Sequence, residues 1–307
     1  MQRRFVDYFI ISLKGIAMGA ADAVPGVSGG TIAFISGIYE ELVTTISNIN
    51  VALIKTLFKD GFATFWKQLN GNFLLALLTG IIISFVSFMR LAKYLIEFHP
   101  ILIWSFFFGL IIASIYFVGK QIKKWNLAVI ISLIIGTIIA YFITTLPSMS
   151  NSDSGLFLMF AGALAICAMI LPGISGAFIL VILGAYKSLS DALHDFDMKK
   201  IALFAIGAIV GLLTFSRVLK WLFKNYHNIT LAILTGFIMG SLNKVWPWKR
   251  VLSYTTNKEG VQVPLTEQSI SPLAFEGDNQ LWLAIGLMIV GFFTIIILEK
   301  FSPQEAS

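Results

Sequence analysis

Hydrophobic positions along this chain run in long, nearly unbroken stretches. The main ones are Phe73 to Met89, Ile101 to Val118, Leu127 to Leu146, Ile201 to Phe215, Ile229 to Met239 and Leu281 to Leu298. A helix needs about 20 mostly apolar residues to cross a bilayer. Most of these stretches approach that length, and the two shorter ones reach it with their flanks. Two more apolar segments, 14–46 and 156–190, carry Gly and Pro at their centres. Proline removes a helix hydrogen bond and glycine loosens the turn. Each of these segments therefore predicts two half-helices that meet at a break and return to the same side, a re-entrant hairpin.

Composition agrees with a bilayer as the main solvent. Apolar residues make up 57% of the 307 and charged residues only 12%, against roughly 25% charged in soluble domains. The expected fold class is an all-α polytopic membrane protein, one membrane domain over 1–307. The longest polar interval, Trp246 to Gln280, reads as a loop. The net charge of +6 comes from clusters between apolar runs, such as Lys120, Lys123 and Lys124. Such clusters mark helix ends beside anionic headgroups, so membrane lipids are the expected surroundings and no nucleic-acid surface is implied. The Lys120–Lys124 cluster points to the cytoplasm, although Lys199 and Lys200 then fall outside, against the positive-inside rule. The start of the chain imitates a signal peptide, with Arg3, Arg4 and a small-residue Ala21-Asp22-Ala23 step. The same pattern recurs in mid-chain, so residues 1–46 read as mature structure.

That recurrence is the strongest internal signal. Residues 14–46 align with 161–193 at an offset of 147, pairing Gly15 with Gly162, Pro25 with Pro172, Gly26 with Gly173, Ser28 with Ser175, Gly29 with Gly176 and Tyr39 with Tyr186. A second block, 80–93 with 207–220, aligns at 127 and pairs Arg90 with Arg217. The first half thus holds an extra segment at 49–69, whose apolar residues follow helical spacing and predict an amphipathic interfacial helix. The expected plan is two repeats, 1–150 and 151–307, each with one hairpin broken at Pro-Gly-(Val/Ile)-Ser-Gly and three spans. If both hairpins re-enter, the second repeat is inverted relative to the first, a plan common among transporters.

Chemistry concentrates at the breaks. Glycine frees the backbone, Pro25 ends one half-helix, and Ser28 and Thr31 can cap the next. A helix N-terminus aimed into the protein suits an anion, phosphate above all. The candidate substrate-binding residues are Pro25, Gly26, Ser28, Gly29, Gly30, Thr31, Pro172, Gly173, Ser175 and Gly176. Arg90 and Arg217 join them, because guanidinium forks match phosphate oxygens. The bland alternatives are tight helix crossing for the glycines and snorkelling for the arginines. Asp22, Glu40 and Lys187 are candidate coupling groups or charge partners. Asp22 is matched by Met169 and Glu40 by Lys187, so the halves differ in charge. Single Cys167 and the scattered His99, His194 and His227 have no metal-ligand spacing, and no nucleophile–base set stands out. No cofactor is implied, and the chain is not expected to be an enzyme.

The segments GIAMGAADAVPGVSGGTIAFISGIYEEL and AICAMILPGISGAFILVILGAYKSL resemble the two signature segments of the PopT-type polyprenyl-phosphate transporter family, over essentially the whole chain. The resemblance implies an undecaprenyl phosphate translocase, a flippase that returns the cell-wall lipid carrier from the outer to the inner leaflet. It also implies a multi-pass place in the bacterial cytoplasmic membrane. The residues themselves add an expectation of alternating access, with phosphate held between the two breaks and Asp22 or Glu40 coupling to protons. The second motif departs from the first, with Ala177 and Phe178 in place of Gly30 and Thr31, so the two halves are not expected to contact the anion equally. The alternatives left open are a carrier of another lipid phosphate or a small anion, and a membrane phosphatase of polyprenyl pyrophosphate.

Overall fold

The computed structural model describes residues 3–22, 28–146, 154–256 and 262–300. The first broken segment opens the chain as α1 (Phe5–Asp22), short α2 (Gly29–Ile35) and α3 (Tyr39–Ser47). The extra segment follows as α4 (Val51–Lys59) and α5 (Gly61–Gln68). The single amphipathic helix expected over 49–69 is therefore two. Gly61 sits at φ +83, a left-handed conformation that a helix interior does not take. Asn50 starts α4 by accepting the Leu53 N–H at 2.9 Å, and Val51, Ile54, Phe58 and Phe62 are exposed.

Three apolar helices complete the first half: α6 (Gly71–Phe98), α7 (Pro100–Lys120) and α8 (Leu127–Thr145). Pro100 stands at the first turn of α7, where its missing N–H costs nothing. Asn126 caps α8 through the Val129 N–H at 2.9 Å. Then come α9 (Gly155–Ile170), α10 (Gly176–Ile182) and α11 (Ala185–His194), followed by the long α12 (Met198–Ser241). The spans expected separately at 201–215 and 229–239 are the two helical parts of α12, divided by a non-helical residue at Tyr226. Tyr226 has φ −136 and ψ 47; His99, which divides α6 from α7 at 127 residues earlier, has φ −136 and ψ 49.

The interval expected to be a loop contains an antiparallel hairpin, β1 (Lys249–Thr256) with β2 (Gln262–Ser269), ahead of α13 (Leu281–Lys300). Val251, Tyr254, Thr255 and Val263 are residue types that favour strands. The hairpin is anchored by the indole N–H groups of Trp246 and Trp248, which donate to the Ile270 and Asn279 carbonyls at 2.8 and 2.9 Å. Nearby, Lys249 donates to the Lys244 carbonyl at 2.6 Å and lies over the Trp104 ring. Burial lowers the Lys249 ammonium to about 8.

α7, α8 and α12 are long and apolar enough to cross a membrane, and α6, α9 and α13 contain shorter apolar stretches. Packing pairs α1 with α6, α9 with α12, α7 with α13 and α8 with α12. Glycines set these crossings, as expected where small residues let membrane helices close up. Gly15 lies against the Leu77 carbonyl and Gly80 against that of Ser12; Gly162 lies against Phe204 and Gly207 against Met159. The second set is the first displaced by the same 147 and 127 residues. Apolar side chains between these crossings, among them Phe34, Phe107, Leu110, Leu234 and Ile238, form the main core. Those on the outer faces, such as Ile134, Ile138 and Phe142, are exposed.

Candidate transport site at the two helix breaks

α1 ends on Asp22, and α2 restarts at Gly29. Ser28, extended at φ −120 and ψ 130, is its N-cap; the hydroxyl accepts the Gly30 N–H at 3.1 Å. Asp22 Oδ1 accepts the Gly29 N–H at 2.7 Å, and the Ser28 carbonyl accepts that of Thr31 at 2.9 Å. The first donors of α2, normally left without partners, are thus occupied by the chain's own groups. A side chain at Gly29 would run into the Asp22 carboxylate, and one at Gly30 would stand 2.7 Å from the Ile170 carbonyl oxygen.

The second break meets the first directly. Ser28 Oγ lies 3.3 Å from both the Met169 and Leu171 carbonyl oxygens and can donate its proton to either. In return, the Gly173 N–H donates to Thr31 Oγ1 at 2.8 Å. Gly173 sits at φ +87, and a Cβ there would also stand 2.8 Å from the Phe237 carbonyl oxygen. Only glycine meets both demands. Pro172, Gly173 and Gly176 are buried around it. Ser175 takes the N-cap position of α10 but makes no side-chain capping bond.

Every residue of α2 is buried, and its two ends face opposite charges. Lys14, only 4% exposed, reaches from α1 to donate to the Ser36 carbonyl at 2.6 Å. An anion at the N-terminal end and a cation at the C-terminal end both complement the helix dipole. Sequence reasoning passed over Lys14. Its signal was a lone charge inside an apolar run, a position that is costly unless the charge is used.

The structure therefore brings together Asp22, Ser28, Gly29, Gly30, Thr31, Pro172, Gly173, Ser175 and Gly176. Pro25 and Gly26 lie outside the described residues. Arg217 is placed elsewhere, on α12, with Nη2 donating to the Ile49 carbonyl at 2.9 Å beyond the end of α3. Glu40 lies on α3 with Oε1 3.7 Å from His227 Nδ1. Arg90 lies on α6 and Lys187 on α11, and their side chains are outside the described residues.

Apolar helices long enough to cross a bilayer, bundled around a buried polar break, fit a multi-pass membrane protein. A family model described as undecaprenyl phosphate translocase-like matches residues 18–263. A polyprenyl-phosphate transporter of Vibrio cholerae is 44% identical over 99% of this chain and 100% of its own length. A polyprenyl-phosphate transporter of Staphylococcus aureus is 31% identical over 76% of this chain and 85% of its own. The chain belongs to this polyprenyl-phosphate transporter family. It is a transporter rather than an enzyme, and its bacterial relatives fit a multi-pass place in the cytoplasmic membrane. No solved structure matches it.

Proposed function

We propose that this protein translocates undecaprenyl phosphate from the outer to the inner leaflet, returning the lipid carrier to cell-wall synthesis. The substrate class is taken from the names of the relatives. One observation carries the site: the two breaks are bonded to each other, Ser28 to the Met169 and Leu171 carbonyls and Gly173 to Thr31. A phosphate entering between them exchanges these bonds for its own oxygens, while the isoprenoid tail stays in lipid. Without such donors, a charged head meets a steep cost at the bilayer centre.

Asp22 is the built-in anion of this arrangement, holding the Gly29 N–H that a phosphate oxygen would take. On this reading a proton delivered to Asp22 frees that donor, which makes protons the coupling ion. The two halves act as an inverted repeat with re-entrant hairpins, opening the breaks alternately to each side. Three features support that plan: the glycine crossings at shared offsets, the equal lengths of α2 and α10, and the matching backbone breaks at His99 and Tyr226. Glu40, Lys187, Arg90 and Arg217 then act at the ends of the path rather than at its centre.

Proteoliposomes carrying undecaprenyl phosphate in one leaflet test this by following its exposure in the other. Thr31→Val is expected to slow transfer by about tenfold, the equivalent of one buried hydrogen bond. Asp22→Asn is expected to abolish dependence on a proton gradient. Unchanged transfer in Thr31→Val would remove the breaks from the mechanism, and equal transfer of other lipid phosphates would broaden the substrate.

A further inference from the structure

A second polar cluster lies away from the breaks. On α12, Arg217, Lys220 and Lys224 recur every three or four residues ahead of the break at Tyr226 and so share one face. That face is turned to α3. Arg217 donates to the Ile49 carbonyl at 2.9 Å, and Lys220 Nζ donates to Asn48 Oδ1 at 2.8 Å. Both reach the C-terminal end of α3, whose partial negative charge they complement, each through one bond to a neutral oxygen. Lys224 makes no hydrogen bond or ion pair among the described residues. It borders a cleft of about 270 Å³ lined by Glu40, Val43, Thr44, Lys220, Phe223 and Lys224.

The depth of this cleft follows from its neighbours. Trp221 and Tyr226 are exposed beside it, edge to face at 5.5 Å, and such aromatic residues mark the headgroup level. The Lys123 N–H donates to Asn228 Oδ1 at 3.1 Å, which brings the basic Lys120–Lys124 turn to the same end of the bundle. The cleft thus opens among headgroups and offers both ammonium groups and the apolar Val43 and Phe223.

We propose that the α3–α12 cleft is a separate reception site for a phosphate monoester carried on an isoprenoid lipid. The assignment of the lipid rests on the function proposed above. A phosphate monoester carries about −1.5 to −2 charge near neutral pH, which two lysines match better than they match the single charge of a phosphodiester. Glu40 opposes the anion from across the cleft and keeps binding weak, as passage requires. The equivalent positions in the other half hold Arg90 and Lys93 for Arg217 and Lys220, but Glu97 for Lys224 and Lys187 for Glu40. The free lysine therefore belongs to one half only.

Photo-crosslinking tests the site with the full chain in phosphatidylcholine nanodiscs and an isoprenyl monophosphate bearing a diazirine beside its head. Peptide mapping is expected to find label on 40–44 and 220–227. Lys224→Gln, which breaks no hydrogen bond or ion pair among the described residues, should lower that label by about fivefold, and Glu40→Gln should raise it. A purely structural role would not give opposite signs for these two variants. Absence of label in the cleft, or label unchanged in Lys224→Gln, overturns the site. Label at the breaks without the cleft overturns this site and leaves the proposed function standing; label in the cleft without the breaks does the reverse. Removal of the cleft label by an equal concentration of inorganic phosphate or phosphatidylglycerol overturns its assignment to a lipid monoester.

Discussion

The two helix breaks share a backbone plan and differ in what fills it. At the first, Asp22 and Ser28 occupy the opening donors of α2, and Lys14 closes its far end. At the second, Met169 stands where Asp22 would be, Ala161 where Lys14 would be and Phe178 where Thr31 would be, and Ser175 makes no capping bond. The glycines that let the helices cross stand at matching places in both segments, while Asp22 and Lys14 have no charged counterpart. Close packing is what the two breaks share, and charge is what sets them apart. One break carries its own anion and cation, and the other contributes backbone.

The largest test of this shared plan is Gly173→Ala. A left-handed residue with a Cβ costs roughly 1–2 kcal/mol, and this Cβ would also press on the Phe237 carbonyl. We expect a loss of at least about 2 kcal/mol, read as a lower thermal midpoint of the detergent-solubilised protein. A wild-type midpoint would mean that the breaks need not touch. Next comes Thr31→Val, which keeps the shape but leaves the buried Gly173 N–H without its acceptor. An unsatisfied buried donor costs about 1–3 kcal/mol. The midpoint should fall by less than in Gly173→Ala, and Phe178→Leu at the equivalent position should lose less again.

Much of this was legible before any coordinates, for a physical reason. Gly, Pro and Ser at matched steps mark backbone events that hydrophobicity alone does not repeat, so the offsets of 147 and 127 were readable. The separate apolar runs on either side of His99 and of Tyr226 were readable too. Where the two parts of α12 meet is not, because no proline follows Tyr226 and only its dihedral angles mark the break. The same limit hid the partner of Lys14, since nothing in the chain near Lys14 points to a carbonyl 22 residues away. Arg217 is legible as one of a matched pair of arginines, while its bond to the Ile49 carbonyl just beyond α3 needs the helices assembled to be seen.

The finest discrimination between the breaks comes from their two serines. Ser28 accepts one N–H and can donate to carbonyls of the other half. Ser28→Ala should therefore cost about 1 kcal/mol as a lost cap, and somewhat more through the carbonyls it leaves behind. Ser175 occupies the same place in its repeat and makes no such bond. Ser175→Ala should then shift the midpoint by no more than a few tenths of a kcal/mol, the range of a neutral substitution. Measured side by side by thermal unfolding, the two alanine variants read the asymmetry directly. Equal losses would mean that Ser175 caps α10 as Ser28 caps α2. The division into a break that holds charge and a break that lends backbone would then fail at the residue where the two motifs are most alike.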